Sequence, residues 1–380
     1  MNVSDWSLPE TEVFDSISTA LDEDADAVLA TVIAVEGSAY RRPGAKMLLR
    51  PDGVGAGSIT AGCLEDEVRA LADDVLADGA PRVETWDLTG DDDDDVWGLG
   101  VGCNGVITVL LEPLDGSYRP IVEARQANEP IAVATVVGGE TDHRVGDRAY
   151  YRPTEGFESD DIPEAVLDEL REPAEALLDG GDGETITVDT PTGSVEVFLD
   201  AVTAPPELVV FGSGHDIGPV VELAKRVDFR VTVVSFRGAQ ADPESFPAAA
   251  DVLSASPRDV ADLRDWDADT YAVVMSHNFL DDRLTLEQLL ETPTQYIGLM
   301  GPQKRFEEMC ADFAEEDRPI TDAERSRIFT PIGLSLGGDT PYQIAFSIVG
   351  ELLAVANDRR PEHLSRREGP IHDRVDVSTD

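Results

Sequence analysis

Apolar residues recur at changing intervals along the chain, and these intervals predict where helices and strands alternate. Val13, Ile17 and Leu21 recur at helical spacing, and a continuous apolar run over 27–35 predicts a buried strand after that helix. A later helix is expected to end at Gly79, because glycine is favoured just past a helix C-terminus. Further elements of this mixed α/β region are expected as strands over 47–49, 83–88, 106–111, 131–137 and 185–199, and as a helix over 162–178.

The pattern becomes regular in the second half of the chain, where short apolar strands alternate with helices. The strands are expected over 208–211, 230–235, 271–275 and 296–300, and the helices near 217–227, 284–290 and 302–315. This alternation predicts a parallel, doubly wound sheet. We therefore expect an α/β protein in which a mixed α/β domain, residues 1–203, precedes a Rossmann-like domain with a doubly wound parallel sheet, residues 204–357. The charged, aperiodic residues 358–380 are expected to form a disordered tail.

The charge of the chain excludes two classes of partner. The 380 residues include 77 acidic and 29 basic ones, which gives a net charge of −48. A protein this acidic repels nucleic acid and anionic membrane surfaces, so we expect neither as a partner. Lysine occurs only at Lys46, Lys225 and Lys304, and an acid-rich, lysine-poor composition is typical of proteins from a salt-saturated cytoplasm. We interpret the charge as a halophilic adaptation in which salt screens the self-repulsion of the chain.

The N-terminal segment and the apolar runs predict a cytoplasmic protein. Residues 1–15 show no basic region followed by an apolar stretch, as a secretory signal would. No apolar run approaches the ~18 residues that a transmembrane helix needs. The three cysteines, Cys63, Cys103 and Cys310, are too few and too irregularly spaced for a disulfide framework.

A glycine-rich loop over 211–218 follows one of the strands and opens a helix. Gly212 is expected to allow the tight turn, and Gly214 to let the backbone approach a phosphate at the helix N-terminus. The next strand ends in Ser235 where a carboxylate would bind a ribose hydroxyl, and Arg237 lies two residues further on as a candidate phosphate contact. Two interpretations stay open: a nucleotide or pyrophosphate site, or a Rossmann fold kept only as a scaffold.

Two histidines are candidates for the same crevice. His277 follows the strand over 271–275, and ligands of open α/β sheets bind at the carboxyl ends of strands. His215 lies in the glycine-rich loop and is expected to reach the same place. The alternative for each is a loop histidine that bonds only to neighbouring backbone.

Two cysteines in glycine-rich loops are the candidate catalytic residues of the N-terminal domain. Cys63 follows Gly62 at a predicted helix N-terminus, where the positive end of the helix dipole favours a thiolate. Cys103 lies in a second glycine-rich loop before a strand. Two unpaired thiols in such loops suit a sulfur-handling or soft-metal site, although an inert buried cysteine is the commoner case. No side-chain metal site is predicted, because no zinc or metalloprotease motif is present.

Ordered blocks of residues along most of the chain resemble the XdhC/CoxI family, the accessory proteins of xanthine dehydrogenase and related molybdenum hydroxylases. The blocks lie at 37–47, 57–65, 102–105, 211–216, 277–279, 296–302 and 331–341. The resemblance implies an N-terminal cofactor region and a C-terminal Rossmann domain. It also implies a maturation factor more than a turnover enzyme: the protein would bind molybdenum cofactor (molybdopterin) transiently, protect it, assist its sulfuration and pass it to an apo-hydroxylase of the xanthine or CO dehydrogenase type.

The resemblance agrees with the candidate residues already identified. Cys63 and Cys103 would handle sulfur, and Arg41 and Lys46 would meet the pterin phosphate. Gly62 is a further cofactor-binding candidate. A nucleotide at the Rossmann loop, a cysteine desulfurase partner and a homodimer are left open.

Two rival functions are weighed against this one. The first is an NAD(P)-dependent oxidoreductase that uses residues 208–350, and Ser235 weighs against it because it stands where an acidic residue is expected. The second is a scaffold that binds only the hydroxylase and no cofactor, and the two cysteine loops weigh against it.

We predict that the acidic surface requires salt for stability. Raising KCl from low to multimolar concentration should raise the melting temperature strongly, because the salt screens repulsion among the 77 acidic residues. Thermal melts across this series measure the effect, and a melting temperature that does not change with salt would contradict the halophilic interpretation.

Overall fold

The computed structural model describes residues 6–37, 39–51, 53–88, 105–140, 143–180, 183–191 and 193–366. The chain divides into two compact units, and the division falls between Ala204 and Pro205. Within the described residues, no helix is both long and apolar enough to span a membrane.

The first unit contains two antiparallel sheets with helices packed on them. Its elements are α1 (Glu10–Asp22), β1 (Val28–Gly37), β2 (Lys46–Leu49), β3 (Gly55–Gly57), α2 (Glu65–Asp78), β4 (Arg82–Asp87), β5 (Gly105–Pro113), α3 (Arg119–Gln126), β6 (Ile131–Gly138), β7 (Arg148–Arg152), β8 (Gly156–Glu158), α4 (Glu164–Leu178), β9 (Glu184–Thr190) and β10 (Gly193–Val202). The first sheet has the strand order β3-β2-β1-β5-β4, and the second has the order β8-β7-β6-β10-β9. This mixed α/β architecture confirms the fold class predicted for the N-terminal part.

Most predicted elements of the first unit are present, and one is divided. Helix α2 ends at Gly79, which has the left-handed conformation expected of a glycine cap. The single strand predicted over 185–199 is a hairpin of β9 and β10, which pair antiparallel from Thr190 and Gly193 outward. Gly193 has a φ of +144°, so it turns the chain where a continuous apolar pattern suggested one strand. Helix α3 and strands β7 and β8 were not predicted, because each is too short to show a clear period.

The second unit is a parallel sheet with helices on its faces. Its elements are β11 (Glu207–Phe211), α5 (Ile217–Arg226), β12 (Arg230–Ser235), β13 (Asp251–Ser254), β14 (Thr270–Val274), α6 (Phe279–Leu290), β15 (Tyr296–Leu299), α7 (Gln303–Glu315), α8 (Asp322–Ser326), β16 (Ile328–Phe329) and α9 (Pro341–Ala356). The strand order is β13-β12-β11-β14-β15-β16, and all five neighbouring pairs are parallel. The predicted doubly wound sheet is confirmed, and the strand order reverses between β11 and β14.

Helix α6 and two short strands of the second unit differ from what the sequence predicts. Helix α6 begins at residue 279, earlier than predicted, because the Asn278 side chain accepts hydrogen bonds from the amides of Leu280 and Asp281. Strands β13 and β16 were not predicted. Residues 364–366 form a 3₁₀ turn, while residues 367–380 of the predicted tail lie outside the described part of the chain.

A buried tyrosine joins the sheet of the second unit to its last helix. Tyr296 on β15 is fully buried, and its hydroxyl donates to a Glu351 carboxylate oxygen on α9 at 2.7 Å. The Gly333 amide donates to the same oxygen at 3.0 Å. Burial raises the pKa of Tyr296 well above 10, and the Glu351 carboxylate raises it further.

We predict that Tyr296→Phe lowers the unfolding free energy at pH 7 by about 1–2 kcal/mol, because Glu351 loses a donor. Unfolded tyrosine ionises near pH 10. The folded pKa is raised, so the stability that Tyr296 contributes is present below pH 10 and is lost as the pH rises further. The wild type and the variant should therefore converge in stability above pH 10. Denaturant titrations from pH 7 to 11 test this, and a gap that widens at high pH would refute it.

Candidate functional site

Three loops leave the first sheet at the same end. The β1–β2 loop follows Gly37, residues 58–64 follow β3, and Leu88 precedes the segment that rejoins the sheet at Gly105. Strand register accounts for this, because Gly37 lies opposite Gly105 and because β3 ends at Gly57 beside the start of β2. We call this place the loop end of the first sheet and define it by residues 39–45, 58–64 and 86–88.

One apolar cluster joins the described residues of the loop end to the sheet. Ala39 from the first loop, Ile59 and Leu64 from the second, and Trp86 before the third all belong to it. The Trp86 indole N–H also donates to a Glu67 carboxylate oxygen at 2.9 Å, which joins the end of β4 to the first turn of α2. The described residues of the loop end therefore belong to one packed cluster.

Cys63 is an exposed thiol on a loop that a buried carboxylate organises. Glu65, the first residue of α2, is buried and accepts a hydrogen bond from the Thr60 hydroxyl at 2.7 Å. It also accepts from the backbone amides of Gly62 and Leu64, each at 3.1 Å. One carboxylate thus fixes the backbone on both sides of Cys63. The sequence analysis placed Cys63 at a helix N-terminus, but it did not identify Thr60 and Glu65 as the residues that hold its loop.

Arg41 and Lys46, both predicted to meet a phosphate, lie in different environments. Arg41 is half-buried at the loop end, beside Tyr40, whose side chain is 62% exposed. Lys46 is only 3% exposed, and its ammonium pairs with the Asp200 carboxylate and donates to the Gly44 carbonyl at 2.8 Å. Burial lowers the pKa of Lys46, but Asp200, Tyr118 and Glu10 together raise it by more, so the ammonium stays charged.

Of the other two cysteines, only Cys310 lies within the described residues. Cys103 lies outside the described residues, so its predicted role stays a prediction. Cys310 lies within α7, is partly exposed, and accepts a weak contact from Arg325 at 3.6 Å. Across the described part of the chain, no group of three or more His, Cys, Asp or Glu side chains is placed to hold a metal ion.

In the second unit, the glycine-rich loop lies at the carboxyl end of β11. Gly212 has a φ of +147°, and a Cβ there would lie 2.6 Å from the Met275 carbonyl oxygen. A Cβ at Gly214 would lie 2.4 Å from an Asp216 carboxylate oxygen. Gly212 is therefore needed for close packing of the loop against a fixed backbone, whatever ligand the loop binds, whereas the contact at Gly214 is with a side chain that can shift.

His277 and Asp216 meet at the point where the strand order reverses. His277 follows β14 with a φ of +58°, and its Nε2 lies 2.8 Å from an Asp216 carboxylate oxygen at the start of α5. His277 is 54% exposed, so the pair faces the crevice where open α/β sheets bind ligands. Asp216 also brings negative charge to the helix N-terminus that a phosphate would otherwise occupy. His215 is exposed on the same loop.

The position that would bind a ribose in a dinucleotide site is closed by local hydrogen bonds. Ser235 is fully buried, and its hydroxyl donates to the Arg237 carbonyl at 2.9 Å and accepts from the Arg237 amide at 3.2 Å. The Arg237 guanidinium, 53% exposed, pairs with Asp281 at 2.6 Å. Arg237 can still meet a phosphate, but only in competition with that carboxylate.

Asp282 is a buried carboxylate that sequence reasoning missed. It is 1% exposed, accepts hydrogen bonds from the Ser276 amide and hydroxyl, and pairs with Arg305 at the start of α7. Burial raises the pKa of Asp282, although Ser276 and Arg305 oppose the rise. From α6, the residue joins the end of β14 to the start of α7. Its signal in the sequence was an acidic residue one turn into the helix that follows Ser276.

Comparisons with known proteins cover both units. Residues 20–87 match the XdhC and CoxI family, and residues 208–352 match the XdhC Rossmann domain. A Bacillus subtilis strain 168 protein, named as a probable subunit of xanthine dehydrogenase, is 29% identical over 344 residues, which cover 89% of this chain and 95% of that protein. An uncharacterized protein of Escherichia coli K12, YqeB, is 26% identical over 167 residues, which cover 44% of this chain and 30% of that protein.

A solved structure has the same fold over nearly the whole chain. It is the crystal structure of a xanthine dehydrogenase from Bacillus halodurans, 28% identical, with a TM-score of 0.73. The superposition covers 92% of this chain and 96% of that one. Together with the two matched ranges, which make up more than half of the residues, this agreement shows that the chain belongs to the XdhC and CoxI family.

Proposed function

We propose that this protein is an accessory factor that binds molybdenum cofactor as cargo, assists its sulfuration and delivers it to a molybdenum hydroxylase. Family membership supports an accessory role, and the B. subtilis and B. halodurans relatives carry names that refer to xanthine dehydrogenase. The recipient would be an apo-hydroxylase of the xanthine or CO dehydrogenase type. A cysteine desulfurase is the class of partner that would supply the sulfur.

The observation that carries the proposal is the set of side chains at the loop end of the first sheet. An exposed thiol, an exposed aromatic ring and a guanidinium lie on loops that leave the same end of one sheet: Cys63, Tyr40 and Arg41. The cargo has matching parts, since it contains a planar pterin, a phosphate and a sulfur-bound metal. Aromatic rings stack on planar heterocycles, Arg binds phosphate in a bidentate manner, and thiolate is a ligand for soft metals.

We assign Cys63 as the soft ligand for the molybdenum centre or for its transferable sulfur. The Glu65 carboxylate holds the amides of Gly62 and Leu64, so the thiol is presented on a fixed backbone. A fixed backbone lowers the entropy lost when the cargo binds. Cys103 is the second candidate for the same role.

The second unit fits a nucleotide-dependent oxidoreductase less well. Ser235 is buried and bonded to its own turn, and Asp216 places a carboxylate at the helix N-terminus. Both features disfavour NAD, which needs a carboxylate for its ribose and a free helix N-terminus for its pyrophosphate. We infer that the crevice around His277 and Arg237 serves a phosphate-bearing ligand with little preference for NAD.

We predict that Cys63→Ala lowers cofactor retention without lowering stability. The thiol is exposed, so its removal leaves no cavity, and the melting temperature should stay within about 2 °C of the wild type. Molybdenum and oxidised pterin should be measured per folded protein after purification from a molybdate-supplied host, with activation of the apo-hydroxylase measured beside them. Both should fall at least tenfold.

Cys310→Ala is the matched control, because this thiol lies in the second unit and is expected to be inert. It should leave cofactor content and activation unchanged. Cys103→Ala tests the second candidate in the same assay. The proposal fails if the wild type retains neither molybdenum nor pterin, or if neither Cys63→Ala nor Cys103→Ala lowers retention and activation.

We also predict that NADP binds the second unit at least as tightly as NAD does. Arg237 can meet the additional phosphate of NADP. Arg237→Gln should therefore weaken NADP binding about tenfold relative to NAD binding. Arg230→Gln is the control, because Arg230 is equally exposed and is paired with Asp251 at the opposite end of the same strand. Calorimetric titration with both nucleotides measures the difference. Tight NAD binding with hydride transfer would instead support the oxidoreductase.

A further inference from the structure

The first unit contains the same arrangement of elements twice. The order helix, three strands, helix, two strands occurs from α1 to β5 and again from α3 to β10. Strand order within the sheets repeats as well, since β3-β2-β1-β5-β4 becomes β8-β7-β6-β10-β9 when each number is raised by five. We call residues 10–113 the first repeat and residues 119–202 the second repeat.

The repeats also share an irregularity in strand pairing. In the first sheet the β1–β5 register skips Ile33, and in the second sheet the β6–β10 register skips Val137. A bulge is a local feature that unrelated sheets have no reason to share at the same point of the same strand. Both skipped residues lie in one apolar cluster with Leu110 and Phe198, which occupy matching positions on β5 and β10.

The hairpin that follows each bulge is the same in detail. Gly44 donates its amide to the Val32 carbonyl at 2.8 Å, and Gly146 donates to the Val136 carbonyl at 2.9 Å. The two glycines have φ values of +94° and +96°. The Ala45 and Asp147 amides then close matching turns onto the Arg42 and Arg144 carbonyls. An Arg-x-Gly-x-basic pattern thus appears at residues 42–46 and 144–148.

The basic residue that ends this pattern makes a buried ion pair with the other repeat. Lys46 of the first repeat pairs with Asp200 of the second, and Arg148 of the second pairs with Glu112 of the first at 2.6 Å. The acids occupy matching positions, since Glu112 lies opposite Leu29 and Asp200 lies opposite Val133.

The aromatic residues beside the two ion pairs correspond as well. The Lys46 ammonium lies 5.7 Å from the Phe14 ring centre, and the Arg148 guanidinium lies 5.0 Å from the Tyr118 ring centre. The two ion pairs are therefore one feature that occurs twice, in opposite directions.

We propose that the first unit is a tandem duplication whose two copies bind each other as the two halves of a dimer would, through these reciprocal ion pairs. Each copy is the partner of the other, and Lys46 serves this internal interface and not the cargo. Removal of one charge from such a pair is costly, because it leaves the partner charge buried and unpaired.

The two repeats differ at the loop end of the first sheet. This difference shows which repeat would bind the cargo, an assignment that rests on the proposed function. Residues 58–64 of the first repeat correspond to residues 159–163 of the second, which contain no cysteine. Residues 88–104 correspond to the two-residue turn between β9 and β10. Arg42, Gly44 and Lys46 have counterparts in the second repeat, whereas Tyr40 and Cys63 have none. We assign cargo binding to the first repeat and support to the second.

Calorimetry of the full chain in multimolar KCl tests the internal interface. Lys46→Met and Arg148→Met should each lower the melting temperature of the first unit by about 10 °C, since each leaves a buried carboxylate without its partner. The double variants Lys46→Met/Asp200→Leu and Arg148→Met/Glu112→Leu should recover most of that loss, because no charge is left unpaired. Arg82→Met, which removes the exposed pair with Asp78, is the control and should change it by less than about 2 °C.

Molybdenum and oxidised pterin content of the two double variants tests the division of roles. Both should retain the wild-type content per folded protein. Loss of cofactor in Lys46→Met/Asp200→Leu alone would make Lys46 a cargo contact and overturn the assignment. A large melting effect at only one of the two pairs would overturn their equivalence. If the wild type contains no cofactor, the proposed function fails, and the calorimetric comparison still decides whether the pairs are equivalent.

Discussion

A buried charge needs a partner at hydrogen-bond distance, and in the first unit this requirement connects the two sheets. Arg148 is buried and is satisfied by Glu112 together with the hydroxyls of Thr135 and Ser117. Burial lowers the pKa of Arg148, but the Glu112 carboxylate raises it, so the guanidinium stays charged. Lys46 and Glu112 belong to the first sheet, and Arg148 and Asp200 belong to the second, so each basic residue has its acid in the other sheet and neither sheet satisfies these charges alone.

The second unit organises its candidate site by a different principle. Its polar residues come from separate strands and pair at the carboxyl edge of the sheet: Asp216 with His277, Arg237 with Asp281 and Arg305 with Asp282. Only Asp282 among these is fully buried. A ligand that enters this crevice exchanges partners with existing pairs and does not meet free charges, so its affinity depends on how much each pair loses.

The sequence predicted those parts of the fold whose signal is local. Continuous apolar runs identified β1, β6, β11 and β14, because strands buried on both faces contain few polar residues. The glycine cap of α2 was also predictable, because a glycine just past a helix end is a local signal. Short strands such as β13 and β16 were not, since their neighbours in the sheet hold them and their own residues show no period. The fold class needed only the order of the long elements.

The sites were less predictable, because their residues come from distant parts of the chain. Lys46 directly follows a loop rich in glycine and arginine, and nothing nearby indicates that Asp200 reaches it across 154 positions. The Asp216–His277 pair was likewise not predictable from nearby residues, because only the adjacency of β11 and β14 in the sheet brings the two residues together. Cys63 was placed correctly at a helix start because the apolar spacing of the helix is a local signal, whereas the carboxylate that holds its loop became visible only in the structure.

The fused repeat has a consequence for symmetry and stoichiometry. A dimer of identical chains must display every surface loop twice, so a change that suits one copy is imposed on the other. Two copies on one polypeptide are free of that restriction. The short turn between β9 and β10 and the long segment between β4 and β5 show how far the copies have diverged at one matching position. A chain with two fused and diverged repeats has one cysteine-bearing loop end of this kind. It would therefore bind one cargo molecule, where a symmetric dimer of identical repeats would bind two.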